Sequence, residues 1–257
     1  MSRSTRTQGR GLLVLLAAMA IALSACGGSS TTAAQGSTGA ASGSSTSGGS
    51  GLNGAANAFS TISSYKFSMT LAGGDLGSTL SMLGGPSASG NTPFTYSGTV
   101  TVKPDKAADI SMAGFHIIEV GGNDYLAMGS SGSFVKTPVA GTGMTDALSP
   151  VQMFSNMIDP SVISGYGKVG SETKNGVATD HYQASAATLN SYGSMIDVSG
   201  ATWSADVWIA QDGGYPISME ILAKTSDAST VYEILFDITN VNDPANKVTA
   251  PTNVTGA

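Results

Sequence analysis

The sequence predicts a mainly β protein with short helices, built as one strongly curved antiparallel sheet that covers helices on its concave face. Three observations predict it. Apolar and polar residues alternate with a period of two in segment after segment, as in SYKFSMTLAG (64–73) and STVYEILFDIT (229–239). Turn residues punctuate these segments, at Pro104-Asp105-Lys106, Gly121-Gly122-Asn123-Asp124, Asn175-Gly176 and Asp212-Gly213-Gly214. One segment, SPVQMFSNMIDP (149–160), switches to a helical period, with Val151, Phe154, Met157 and Ile158 on one face and little charge on the other. A helix with so little charge needs a large apolar surface to lie on, and a bent sheet uses every apolar stripe. A closed barrel or a two-sheet sandwich would use the same stripes.

The elements follow in order. Residues 1–25 open with Arg3, Arg6 and Arg10 and continue into an unbroken apolar run, GLLVLLAAMAIAL. That is the form of a secretion signal, and the run is too short for a membrane span, which needs about 20 residues. Leu23-Ser24-Ala25-Cys26 resembles the bacterial lipobox. The resemblance implies cleavage before Cys26 and a diacylglycerol on its sulfur, which would hold the chain to a membrane. An intermolecular disulfide is the other use of a lone cysteine. Residues 27–50 carry no charge and nothing larger than Gln35, so ordering them would bury too little to offset the entropy. With the lipidated cysteine they read as a tether (26–51) with a reach of roughly 25–30 Å.

The remaining chain, 52–257, reads as a single ligand-binding domain. LNGAANAFSTI (52–62) fits a short helix, and Tyr65, Phe67, Met69 and Leu71 form the apolar side of a strand. Residues 73–93 read as a long loop or flap. FTYSGTVTVKP and KAADISMAG are a strand and its return, with Ala108, Ile110 and Met112 on one face. FHIIEVGGNDYLAMG gives two strands joined at 121–124, and FVKTP a short continuation. Ser149 caps the helix described above, Pro150 opens it and Pro160 stops it. GYGKVGSETKNGVATDHYQAS is a hairpin around Asn175-Gly176, followed by a helical or irregular stretch at 186–198. In the last strands Met219, Ile221 and Ala223 alternate with Ser218, Glu220 and Lys224, Tyr232, Ile234, Phe236 and Ile238 oppose Glu233, Leu235 and Asp237, and the tail after Asn242 is polar and extended. The count is about nine to eleven strands and two or three short helices.

Composition excludes several function classes. Loss of residues 1–25 leaves eight lysines against seventeen acids, near −9. Such a chain lacks the basic footprint of a nucleic-acid binder, and its net charge speaks against broad attraction to anionic lipid. Catalytic constellations are absent. His116 and His181 are the only histidines, no G-x-S-x-G or G-x-x-x-x-G-K-[ST] occurs, and adjacent Asp180 and His181 point to opposite faces of a strand. Asp105, Asp124, Asp159, Asp212 and Asp243 read as turn residues. The expected protein is not an enzyme and needs no cofactor or metal.

Gly98-x-Val100, IIEVGGNDYLAMG, FVKTP, SPVQMFSNMIDP, GSETKNGVATDHYQAS and ADVWIAQDGGYPISMEI, in this order, resemble the bacterial LppX/LprAFG lipoproteins, relatives of the LolA/LolB lipoprotein carriers. The likeness spans roughly residues 55–248, with Phe134 where the family commonly has tryptophan. It implies an unclosed β-barrel over helices, with an apolar cavity that holds acyl chains of a lipid, a glycolipid or an acylated protein. The expected protein is therefore a lipid-anchored extracytoplasmic carrier in cell-envelope lipid or lipoprotein trafficking, working as a monomer. The expected lining is Phe67, Met69, Leu71, Ile110, Met112, Phe154, Met157, Ile158, Met219, Ile221, Ile234 and Phe236, with Cys26 as the lipidation site. Two readings compete with it: an envelope protein of the same fold with a collapsed cavity that acts through a protein partner, and a cell-envelope enzyme.

Overall fold

Eleven strands pair into one antiparallel sheet whose first and last strands meet in the middle. The computed structural model describes residues 52, 54–73, 93–129, 132–139, 144–148, 151, 154, 164–195 and 200–255. The strands are β1 (Ser64–Gly73), β2 (Phe94–Thr101), β3 (Ala107–Met112), β4 (Phe115–Val120), β5 (Asn123–Met128), β6 (Val135–Pro138), β7 (Tyr166–Lys174), β8 (Val177–Ala184), β9 (Thr202–Ala210), β10 (Pro216–Lys224) and β11 (Thr230–Thr239). Their order is β6-β5-β4-β3-β2-β1-β11-β10-β9-β8-β7. Every neighbouring pair but β1–β11 is consecutive in sequence, so two meanders leave a central seam in opposite directions. Among the described residues the helices are short: α1 (Ala55–Ala58), continued by a 3-10 turn (Phe59–Thr61), α2 (Met144–Ala147) and α3 (Ala186–Met195).

The strongly curved, barrel-like sheet expected from the sequence is not what forms. The sheet is open and not strongly curved, and β6 and β7 are its two edges rather than near neighbours. The physical reason is that a period-two stripe says which face is buried, not how far the sheet bends. Bending needs bulges and glycine kinks placed across several strands. Register shifts occur at Lys168/Gly170, Pro216/Ser218 and Ala223/Lys224, all in the β7–β11 half.

The turns form where the sequence places them, with one correction. Asn175 (φ 52°) and Gly176 (φ 80°) supply the two positive φ angles of a tight hairpin between β7 and β8. Between β4 and β5, Gly121-Gly122 suffice by themselves. Val120 pairs with Asn123 and Glu119 with Asp124, so Asp124 is a buried strand residue and not a turn residue. The helix expected at 149–160 is represented by Val151 and Phe154, both helical; the rest of it, the loop 74–92, Asp159, Met157, Ile158 and Cys26 lie outside the described residues.

Both faces of the sheet carry apolar material. The larger cluster joins one face of β1–β3 and β7–β11 to Leu52, Ala55, Phe59, Ile62 and Phe154. The smaller, Ile118, Tyr125, Ala127 and Phe134, lies on the opposite face of β4–β5, and Val248 of the C-terminal tail covers it. That tail ends in a parallel bridge between Val254 and Phe134, with Phe134 N–H donating to Asn253 O at 2.9 Å and Thr255 N–H to Phe134 O at 2.8 Å.

Candidate functional site

The candidate site is the larger apolar face, and strand register builds it rung by rung. At its centre Tyr182, Val207, Met219, Phe236, Met69, Tyr96 and Met112 lie side by side across seven strands. Toward the start of β1 the next rung holds Ile238, Phe67, Gly98, Ile110 and Ile117. In the other direction come Ala205, Ile221, Ile234, Leu71 and Phe94, and finally Trp203, Ala223 and Tyr232. Gly98 is required in its rung because a Cβ there would meet Asp109 O at 2.4 Å and the Phe67 ring at 2.9 Å. The ring of Phe67 occupies the space that a side chain at 98 would fill.

The centre of this face is packed. Phe154 sits over it, with its ring 5.8 Å from Phe59 in an edge-on arrangement and 5.9 Å from Phe236. Tyr96 O–H donates to Met69 Sδ at 3.0 Å, and burial pushes its phenol far above the ordinary tyrosine range. Phe67, Met69, Ile110, Phe154, Met219, Ile221 and Phe236 are all 3% exposed or less. Burying a side chain of this kind contributes about 1.5–3 kcal/mol. Toward the end of β1 and at the end of β3 the packing is less complete: Leu71, Phe94, Met112, Trp203, Tyr232 and Ile234 are only partly buried while packing on the same cluster, and the Trp203 and Tyr232 rings lie 5.4 Å apart.

The structure thus brings ten of the twelve expected lining residues into one cluster, seven of them buried and Leu71, Met112 and Ile234 partly buried. The sequence reading missed Phe94, Tyr96, Trp203 and Tyr232. The signal was present for all four: Phe94 and Tyr96 alternate with Thr95 and Ser97, Trp203 is in phase with Val207 and Ile209, and Tyr232 with Ile234.

The opposite face of β7–β10 carries a polar cluster. Trp208 N–H donates to Glu172 Oε1 at 2.5 Å, and the His181 ring stacks on the indole at 4.5 Å. Lys174 Nζ lies 3.9 Å from the indole centre and 2.9 Å from Glu220. His181 Nε2 is 2.8 Å from Asp206 and its Nδ1 3.4 Å from Glu172. Trp208 is a buried packing residue with His181 and Lys174 against its ring. Asp180 pairs with Ile209 and His181 with Trp208, so the two side chains leave β8 on opposite faces. Burial works against the Asp180 carboxylate, but Lys168, Gln211 and Ser171 hydrogen-bond it and hold it below the usual carboxylate range. Among the described residues no group of three or more His, Cys, Asp or Glu side chains is placed to hold a metal ion. None of the described helices is long and apolar enough to cross a membrane.

No protein-family model matches the chain, and no curated protein does. Solved structures are similar to it at low identity. The lipoprotein LppX of Mycobacterium tuberculosis is 18% identical with a TM-score of 0.41, over 76% of this chain and 95% of that one. LprF from Mycobacterium bovis is 13% identical with a TM-score of 0.45, over 80% and 96%. A LolA superfamily protein from Nitrosomonas europaea is 9% identical with a TM-score of 0.25, over 80% and 96%. At these identities and scores the likeness does not make the chain a member of the LppX/LprAFG family, and it carries no function across. The functional reading rests on the geometry above.

Proposed function

We propose that this protein is a non-enzymatic, extracytoplasmic lipoprotein, anchored through diacylglyceryl-Cys26, that takes up an acyl chain at the open end of its apolar face and hands it on in cell-envelope lipid or lipoprotein trafficking. The observation that carries this reading is the gradient along one face. Leu71, Phe94, Met112, Trp203, Tyr232 and Ile234 stay partly exposed although they are continuous with a fully packed core. An acyl chain laid along them removes apolar surface from water at about 0.8 kcal/mol per CH₂. It needs no charged partner, and Met112 supplies an adaptable thioether wall.

A second reading is favoured by the closure of the rest of the face. Seven of the expected lining residues are core, so a protein partner could cover the open end in place of a lipid. Native mass spectrometry of the mature protein purified from its membrane decides between them. The carrier reading expects a bound lipid mass beyond the one on Cys26. An unliganded spectrum, together with failure to take up a fluorescent fatty acid, supports the partner reading.

A further inference from the structure

The apolar face does not stop at β3. Register carries two of its rungs on toward the sheet edge at β6. One runs from Tyr96 through Met112 and Phe115 to Met128. The other runs from Ile110 through Ile117 and Leu126 to Val135. Burial falls along both. Tyr96 is 3% exposed, Met112 and Phe115 are partly buried, and Met128 is 61% exposed. Ile110 and Ile117 are buried, Leu126 is partly buried, and Val135 is 51% exposed. Leu126 and Met128 stand two residues apart on β5 and share a face, with Val135 and Phe115 directly opposite them on the flanking strands. These four side chains form one contiguous apolar strip. The next rung on the same face, Ala108, Glu119, Asp124 and Thr137, is polar from Glu119 on, and Lys106 pairs with the Glu119 carboxylate. The strip is therefore two rungs wide, uncharged, and bordered on one side by charge.

We propose that this strip holds the far part of a long acyl chain, so that the protein selects long-chain over short-chain ligands. The inference rests on the carrier reading above, which lays an acyl chain against Met112, and it says where that chain leads. Met112 belongs to both surfaces: it packs on the main cluster and it stands opposite Phe115. A hydrocarbon chain passes from one surface to the other without meeting a charged group. Neighbouring strands lie about 4.8 Å apart, so the face offers about 10 Å from Leu71 on β1 to Met112 on β3, and the strip adds roughly 14 Å from β3 to β6. An eight-carbon chain is satisfied by the first stretch, whereas a sixteen-carbon chain needs both. The dimensions speak against a protein partner here. A strip of roughly 14 Å by 7 Å is far below the ~800 Å² per partner that a stable protein interface takes. Methionine at 112 and 128 gives the track adaptable thioether walls at both of its ends.

The test compares palmitic and octanoic acid as competitors of a fluorescent fatty acid, on the wild type and on Met128→Glu and Val135→Glu. Both positions are exposed, so Tm should stay within about 2 °C. Each substitution should weaken palmitic acid about tenfold and leave octanoic acid unchanged. Val169→Glu, at a 57% exposed position on the opposite edge strand, should bind both as the wild type does. A palmitic acid analogue with a diazirine at the end of its chain should label the peptides that carry Phe115, Met128 or Val135. Palmitic acid binding that survives both substitutions, with label confined to peptides of β1, β2 and β11, overturns the track and leaves the carrier reading standing. Failure of the wild type to bind either fatty acid overturns the carrier reading and the track with it. Sedimentation reads the remaining alternative: a dimer that Met128→Glu dissolves assigns the strip to a second copy of this chain and overturns the lipid.

Discussion

Replacing Met69 and Met112 by tryptophan, one at a time, separates core from binding surface on a single rung of the sheet. The two methionines flank Tyr96 in the register, yet Met69 is 1% exposed and Met112 only half-buried. At position 69 the larger ring has no room. Tyr96 and Phe236 sit on either side of it, and Phe154 packs against Phe236 above. Overpacking of this kind costs roughly 1–3 kcal/mol, and the loss of the Tyr96 hydroxyl's sulfur acceptor places Met69→Trp at the upper end. For a domain of this size each kcal/mol lowers Tm by about 2–4 °C, so a fall of roughly 6–12 °C is expected. Met112→Trp should leave Tm within about 2 °C, because its ring can extend into solvent. It should also weaken uptake of a fluorescent fatty acid at least several-fold. Thermal melts of both variants and a binding titration of Met112→Trp are the assays. Equal destabilisation by the two substitutions would refute the division of the face into a closed and an open part, and unchanged binding by Met112→Trp would refute the placement of the ligand.

Other outcomes follow from single contacts. Gly98→Ala should destabilise the domain by several kcal/mol, since its Cβ meets a backbone oxygen at 2.4 Å that can move only by opening β2 from β3; a near-native melt would contradict that register. Phe236→Ala removes a fully buried ring between Phe154 and Met69 and should cost about 3–5 kcal/mol in denaturant unfolding. Asp180→Asn tests the pH dependence. The folded carboxyl lies below its unfolded value, so its contribution is present above the unfolded pKa and lost as pH falls through the folded one. The wild type should therefore lose stability below about pH 4 more steeply than the variant, and parallel acid limbs would remove Asp180 from the account. Cys26→Ala should abolish the diacylglyceryl mass and release the protein from membranes, which intact-mass spectrometry and fractionation check directly.

Much of the fold is legible in the sequence because a strand's register of burial is local. Tyr65, Phe67, Met69 and Leu71 declare one face of β1 without reference to any partner. Curvature is not local, and the same stripes serve a barrel or an open sheet. The site was legible as a face but not as a gradient. Leu71 and Met69 carry the same signal in the sequence, and only the tertiary packing around them, with Phe154 against Phe236 beside Met69, sets one apart from the other. Asp124 was misread because Gly121-Gly122-Asn123-Asp124 contains more turn residues than the hairpin uses. The Trp208 cluster joins residues from β7, β8, β9 and β10, so it exists only once four registers are set. The cover that Val248 gives the second face depends on a tail whose polar composition announces no partner.

The layout separates the packed seam from the partly buried apolar side chains. The β1–β11 seam joins the two meanders, and Met69, Phe236 and Ile238, each 1% exposed or less, lie along it. The partly buried apolar side chains Leu71, Phe94, Tyr232 and Ile234 sit instead at the far end of β1 and at the start of β2 and β11, where strands begin or finish. A ligand arriving there gains apolar contact without parting the seam, so uptake and release need not approach the free energy of unfolding.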